Sequence, residues 1–127
     1  TSESFGLPIN AIHPQAIVAS NVELGAGVMI AANAAINPLA KIGNGVICNT
    51  GSIIEHDCIL GDFCHIAPGA TLCGTVEVGP YSFIGANAVV VQGVKIGSNV
   101  TIGAGSVVLD NVPDNQKLAG NPARSIF

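Results

Sequence analysis

Aliphatic residues recur along this chain every six positions, a spacing that neither an amphipathic helix nor an alternating strand produces. Starting at Ile12, steps of six meet Val18, Leu24, Ile30, Ile36 and Ile42 and continue without insertion to Val108. Sixteen of these seventeen positions are Ile, Leu or Val, and Cys48 is the exception. Four residues after each stands a second, smaller inward candidate, from Ala16, Val22 and Val28 through Ser52, Cys58 and Cys64 to Val112. On a helix of 3.6 residues per turn, a six-residue repeat scatters these side chains around the axis and leaves no apolar face. Repetition of one short unit is instead the mark of a solenoid.

The residues between the aliphatic positions predict how the chain bends. The fourth residue of each hexad is Gly, Asn or Asp in twelve of seventeen cases, including Gly27, Asn33, Gly45, Gly51, Asp57 and Gly69. These residues tolerate positive φ. Proline precedes that position at Pro14, Pro38, Pro68 and Pro80, and Pro68-Gly69 is the chemistry of a type II turn. Each hexad therefore reads as a short strand and a sharp corner. Gly25, Gly43, Gly61, Gly79 and Gly97 lie eighteen residues apart, so three hexads complete one coil of triangular section. Residues one coil apart stack at roughly 4.8 Å through backbone hydrogen bonds. The expected architecture is an all-β parallel β-helix over residues 12–113, preceded by a connecting segment, 1–11, and followed by a C-terminal tail, 114–127.

Composition narrows the function. Of 127 residues only 9% are charged and 4% aromatic, with no tryptophan, which suits a narrow interior filled by small aliphatic side chains. The net charge is −4, and the four cations Lys41, Lys95, Lys117 and Arg124 form no cluster, so neither nucleic acid nor an anionic membrane is an expected partner. The charge-free stretch from Leu24 to Ala40 is broken by Asn33, Asn37 and Pro38 and does not read as a membrane span. Cys48, Cys58, Cys64 and Cys73 lack metal-site spacing, and the first three fall on inward positions. They read as reduced and structural, hence a cytoplasmic protein.

Chemistry is sought where the repeat is broken. Three of the eight acids (Glu55, Asp57, Asp62) and two of the three histidines (His56, His65) fall within residues 55–65. His56 occupies a corner where other hexads place Pro-Gly or Ala-Asn, so its ring is expected to point outward. There an imidazole, which titrates near neutrality, can take a proton from an amine or hydroxyl. Glu55 and Asp57 flank it, and either could orient the ring. Each side of the triangle spans on the order of 15 Å, so His56 and His65 are not expected to meet within one chain. Asn49 stacks one coil below Ala67 and should lie near His65. A neighbouring copy's Asn49/His65 surface facing the His56 corner would make a composite site and an obligate trimer.

The hexads resemble those of the hexapeptide-repeat acyltransferases, whose solenoid is left-handed. The period does not set the hand, and parallel crossovers are otherwise right-handed, so a left-handed β-helix is expected on that resemblance alone. The run Asn49 to His65, with Glu55-His56-Asp57-Cys58 at its centre, is more specific. Together with Ile12-His13-Pro14 and Gly120-Asn121-Pro122-Ala123-Arg124, it resembles the sialic-acid O-acetyltransferase and nucleotide-amino-sugar N-acetyltransferase family (the NeuD/PglD type) over nearly the whole chain.

That resemblance implies an acetyl-CoA-dependent acetyltransferase working as a homotrimer, without metal. His56 would be the general base and Asp57 would raise its basicity, with Asn49 and Glu55 as active-site supports. His65 would contact acetyl-CoA near the thioester, Ala86 and Ala104 would line the coenzyme channel, and Gly74 would let pantetheine approach the backbone. Backbone N–H groups and water, or Lys95 and Arg124 at the rim, would meet the phosphates. The acceptor implied is the amine of a nucleotide-linked amino sugar, with a sugar or sialic acid hydroxyl as the alternative. In that family a nucleotide-sugar-binding domain usually precedes the β-helix, and residues 1–11 resemble the end of its connection. The chain is either a fragment of such a protein or one that lacks the domain.

Two rivals use the same solenoid. A γ-class carbonic anhydrase needs three histidines converging on zinc, and His13 is expected far along the axis from His56 and His65. A non-catalytic structural rod needs no charged cluster, and an ice-binding one needs ranks of threonine.

Overall fold

A computed structural model describes residues 9–126. Its short strands stack into three parallel sheets, which form the sides of a β-solenoid of about six turns. Sheet A has eight strands, sheet B six and sheet C five. Partners one coil apart are eighteen residues apart in sequence, as in Ile54↔Leu72 and Leu72↔Val90 in sheet B or Leu60↔Val78 in sheet C. Inside, like therefore stacks on like. Ile54, Ile66, Leu72, Ile84 and Ile102 are wholly buried, with Ala34, Cys58, Cys64 and Ala70 filling the corners between them.

Fourteen consecutive corners, from Gly27 to Gly105, place the fourth residue of the hexad at positive φ. Leu39, Phe63, Thr75 and Tyr81 do so although their side chains disfavour it. The stack imposes that conformation. The amides of Phe63, Thr75 and Tyr81 bond the carbonyls of Asn44, His56 and Asp62 one coil back at 2.8–3.0 Å. The glycines eighteen apart have a different cause. Gly43 is not at positive φ, but a Cβ there would stand 2.9 Å from the Asp62 amide of the next coil. Asp62 Oδ1 in turn accepts the Asn44 N–H at 2.9 Å, tying the coils together along this corner.

At the ends, the boundaries shift from those expected. Ala11–Ile12 already pairs with Met29–Ile30 in sheet A, and residues 1–8 of the connecting segment lie outside the described residues. The segment read as a tail, 114–127, carries Lys117–Ala119, which pairs parallel with Thr101–Ile102, and Arg124–Ser125, which folds back antiparallel. The solenoid therefore continues past Pro113. Its last coil is two residues short, since Thr101 pairs with Lys117, and the chain then reverses instead of starting another side.

Three serines face the interior. Ser82 Oγ donates to the Gly97 carbonyl at 2.6 Å and accepts from Val100 N–H, and Ser106 Oγ accepts from Gly120 N–H at 3.1 Å. Ser52 Oγ is buried with no hydrogen-bond partner. An unpaired buried hydroxyl is costly, so Ser52→Ala is expected to raise stability by about 1 kcal/mol, while Ser82→Ala lowers it. Denaturant unfolding followed by circular dichroism measures both.

Candidate active site

His56 lies in the corner between sheets B and C, on the link from Ile53–Ile54 to Ile59–Leu60. Its side chain is 52% exposed, as the outward corner required. Nδ1 stands 3.0 Å from Asp57 Oδ2. Because a carboxylate only accepts, Nδ1 carries the hydrogen and Nε2 keeps its lone pair. Of the two acids left open by the sequence, Asp57 orients the ring. Asp57 stands at the corner position, with φ 60°. Glu55 is half-buried at the end of the preceding strand and makes no hydrogen bond to the ring.

His65 lies on a different side, in the sheet A strand His65–Ile66, and does not join His56. Asn49 Nδ2 stands 3.1 Å from His65 Nε2, the meeting expected from the register. Asn49 Oδ1 accepts Thr50 N–H at 2.8 Å, which leaves the amide NH₂ facing the ring. His65 Nε2 therefore accepts and Nδ1 bears the proton. Burial lowers the His65 pKa from its usual value, because desolvation penalises the charged ring. Phe83 packs edge-on against it, with ring centroids 5.1 Å apart. The two hydrogen bonds thus leave different ring nitrogens facing outward, Nε2 at His56 and Nδ1–H at His65.

Ala86 and Ala104 lie one coil apart on the corner between sheets A and B, joined by Gly105 N–H to Ala86 O at 2.8 Å. They are small and at least partly exposed. Gly74 is one coil beyond His56, and the space a Cβ would need is filled by the His56 ring. The sequence reading had missed this contact, although the residue eighteen after the histidine signals it.

Cys48, Cys58 and Cys64 are fully buried, and burial pushes their thiols up to about 12, 11 and 12. Such thiols are poor nucleophiles. His13 in the first coil accepts a hydrogen bond from Gln15 N–H through Nδ1 and does not converge with the other histidines. No helix among the described residues is long and apolar enough to cross a membrane.

The sequence matches the bacterial transferase hexapeptide (six repeats) family over residues 39–74 and 75–110. The chain belongs to that family. Among solved structures, PerB from Caulobacter crescentus in complex with CoA and GDP-perosamine is 42% identical with a TM-score of 0.96, covering 99% of this chain and 61% of that one. The acetyltransferase domain of PglB from Neisseria gonorrhoeae, in complex with acetyl coenzyme A, is 38% identical with a TM-score of 0.95, covering 98% of this chain and 61% of that one. GDP-perosamine N-acetyltransferase of Escherichia coli O157:H7 is 36% identical over 71 residues, which is 56% of this chain and 32% of that protein. The chain thus spans less than two thirds of the length of these relatives. The Caulobacter enzyme has also been solved with one histidine replaced by asparagine or by alanine, with CoA and GDP-perosamine bound.

Proposed function

We propose that this chain is the catalytic β-helix of an acetyltransferase that moves an acetyl group directly from acetyl-CoA to the amine of a nucleotide-linked amino sugar. The observation that carries the reading is the His56–Asp57 pair, an exposed imidazole with Nδ1 held by a carboxylate and Nε2 free to accept a proton. Acetyl-CoA supplies an activated acyl group. Nε2 of His56 takes the proton from the acceptor nitrogen as the new C–N bond forms, and delivers it to the departing thiolate sulfur as the C–S bond breaks. The Nδ1–H of His65 is a suitable donor toward the thioester oxygen as negative charge builds there. The names of the relatives favour the amine over the hydroxyl acceptor. The channel residues carried over from the family resemblance are Ala86 and Ala104, with Asn49 behind His65. The setting is the cytoplasm, which accords with four free cysteines.

The assembly proposed is a homotrimer. Sheet C presents Glu23, Lys41, Glu77 and Lys95 outward, with Glu23 beside Lys41 and Glu77 beside Lys95. The outward positions of sheet B, such as Ile17, Ile53, Val89 and Val107, carry no charge, and those of sheet A carry none before Lys117. A charged side suits water and two uncharged sides suit neighbours. Contact of one copy's sheet A with another's sheet B is heterologous and can close a ring. It would bring His65 of one copy toward the His56 corner of the next.

Coenzyme release, measured against nucleotide amino sugars, sialic acids and simple amines, tests the reading. Turnover restricted to hydroxyl acceptors, or none with any of the panel, overturns it. A catalytically competent monomer in sedimentation experiments overturns the composite site. Asp57→Asn is expected to lower kcat by about 10²-fold, because the amide no longer enforces the Nδ1–H tautomer. An unchanged kcat would assign Asp57 no part in orienting the base.

A further inference from the structure

Gly74 is not at positive φ, so its backbone does not demand glycine. What demands it is the imidazole one coil back. A Cβ at Gly74 would stand 2.5 Å from His56 Nε2, 2.7 Å from Cε1 and 3.2 Å from Cδ2. At Gly43 or Gly79 the same atom would collide with backbone of the next coil, but at Gly74 the three nearest atoms all belong to one ring. The face of the imidazole, at the basic nitrogen, therefore rests over the space left by a missing side chain, and the Nε2 lone pair, which lies in the ring plane, stays open.

Thr75 keeps that seat from yielding. It takes φ 60°, a conformation a β-branched residue rarely adopts. Its amide donates to the His56 carbonyl at 2.9 Å, and its hydroxyl donates to the Gly74 carbonyl at 2.6 Å. The Gly74–Thr75 peptide is thus held to the His56 corner one coil back and to its own corner. Any added atom must displace the ring, and the ring, half in solvent, is free to swing away.

We propose that Gly74 is a positioning residue for His56. With Asp57 fixing Nδ1 and the Gly74 gap receiving the face of the ring at Nε2, the imidazole is confined to one rotamer with Nε2 over the Cys73–Thr75 corner. This deepens the reading of His56 as general base and rests on it. It also assigns Gly74 a role different from a lining for pantetheine, and the two roles have different kinetic signatures.

Gly74→Ala separates them. Loss of the seat lowers kcat by about 10²-fold, the scale of a 1 Å misplacement of a reacting group, while acetyl-CoA affinity by calorimetry stays within about twofold of wild type. Nitrogen-15 NMR of the imidazole should find His56 in the Nδ1–H tautomer in the wild type and in a mixture of tautomers in the variant. A risen KM for acetyl-CoA with kcat unchanged, or identical His56 resonances in both proteins, overturns the proposal. In a His56→Ala background, Gly74→Ala should leave the melting temperature unchanged, because the atom it would strike is gone. An equal loss of stability in both backgrounds would trace the glycine to the backbone and overturn the seat. Should the wild type transfer acetyl to no acceptor while Gly74→Ala still shifts the tautomer, the seat stands and the catalytic reading falls.

Discussion

His56→Ala is expected to lower acetyl transfer by about 10²–10⁴-fold, the usual contribution of a positioned general base. Acetyl-CoA binding, read by calorimetry, should hardly change, because the ring serves the proton and not the coenzyme. The fold should not change either. The side chain is 52% exposed and, among the described residues, makes its one side-chain hydrogen bond to Asp57. The loss should fall in kcat and kcat/KM alike, the signature of an interaction made in the transition state. Near-normal turnover would remove His56 from the chemistry, and with it the reading of the corner as a catalytic site.

Leu72→Ala carries the largest expected cost in stability, about 2–5 kcal/mol. Leu72 is wholly buried and sits between Ile54 and Val90 in the middle of sheet B. A solenoid is held together by contacts between adjacent coils, so a cavity there weakens both interfaces at once. Ile59→Ala is the control. Ile59 is an aliphatic residue of sheet C that faces outward and is 43% exposed, and its truncation should cost well under about 1 kcal/mol. Chemical denaturation compares the two. A Leu72 cost as small as the control's would mean that the coils relax into the gap, and that stacking is looser than the register implies. Because Leu72 leads directly into Cys73 and Gly74, the same truncation should also loosen the seat of His56.

Much of the candidate site was legible before the fold was known. The cluster of acids and histidines at residues 55–65 pointed to the candidate site, and the corner position predicted the exposure of His56. The eighteen-residue period predicted the meeting of Asn49 and His65, and the bond is there at 3.1 Å. The choice between Glu55 and Asp57 was not legible. Both flank the histidine, and only the structure places the Asp57 carboxylate 3.0 Å from Nδ1. The role of Gly74 was overlooked for a related reason. Glycine was valued for backbone freedom or ligand approach, whereas here it matters for what lies one coil away.

The corners show the same division. Gly, Asn and Asp announced most of them, but Leu39, Phe63, Thr75 and Tyr81 turn identically without any local preference for doing so. Phe63, Thr75 and Tyr81 are held there by amide bonds to the coil before, which no window of neighbouring residues contains.

The sequence by itself determined the period, the number of sides, the inward set and the break that marks the site, because each is a property of one hexad repeated along the chain. Only the tertiary structure decided how the repeat ends, which acid holds His56, which tautomers the two histidines adopt, and why residue 74 has no side chain. Those depend on distances of a few ångströms between residues about eighteen apart, or between neighbours, and a linear pattern of apolar and polar positions carries neither.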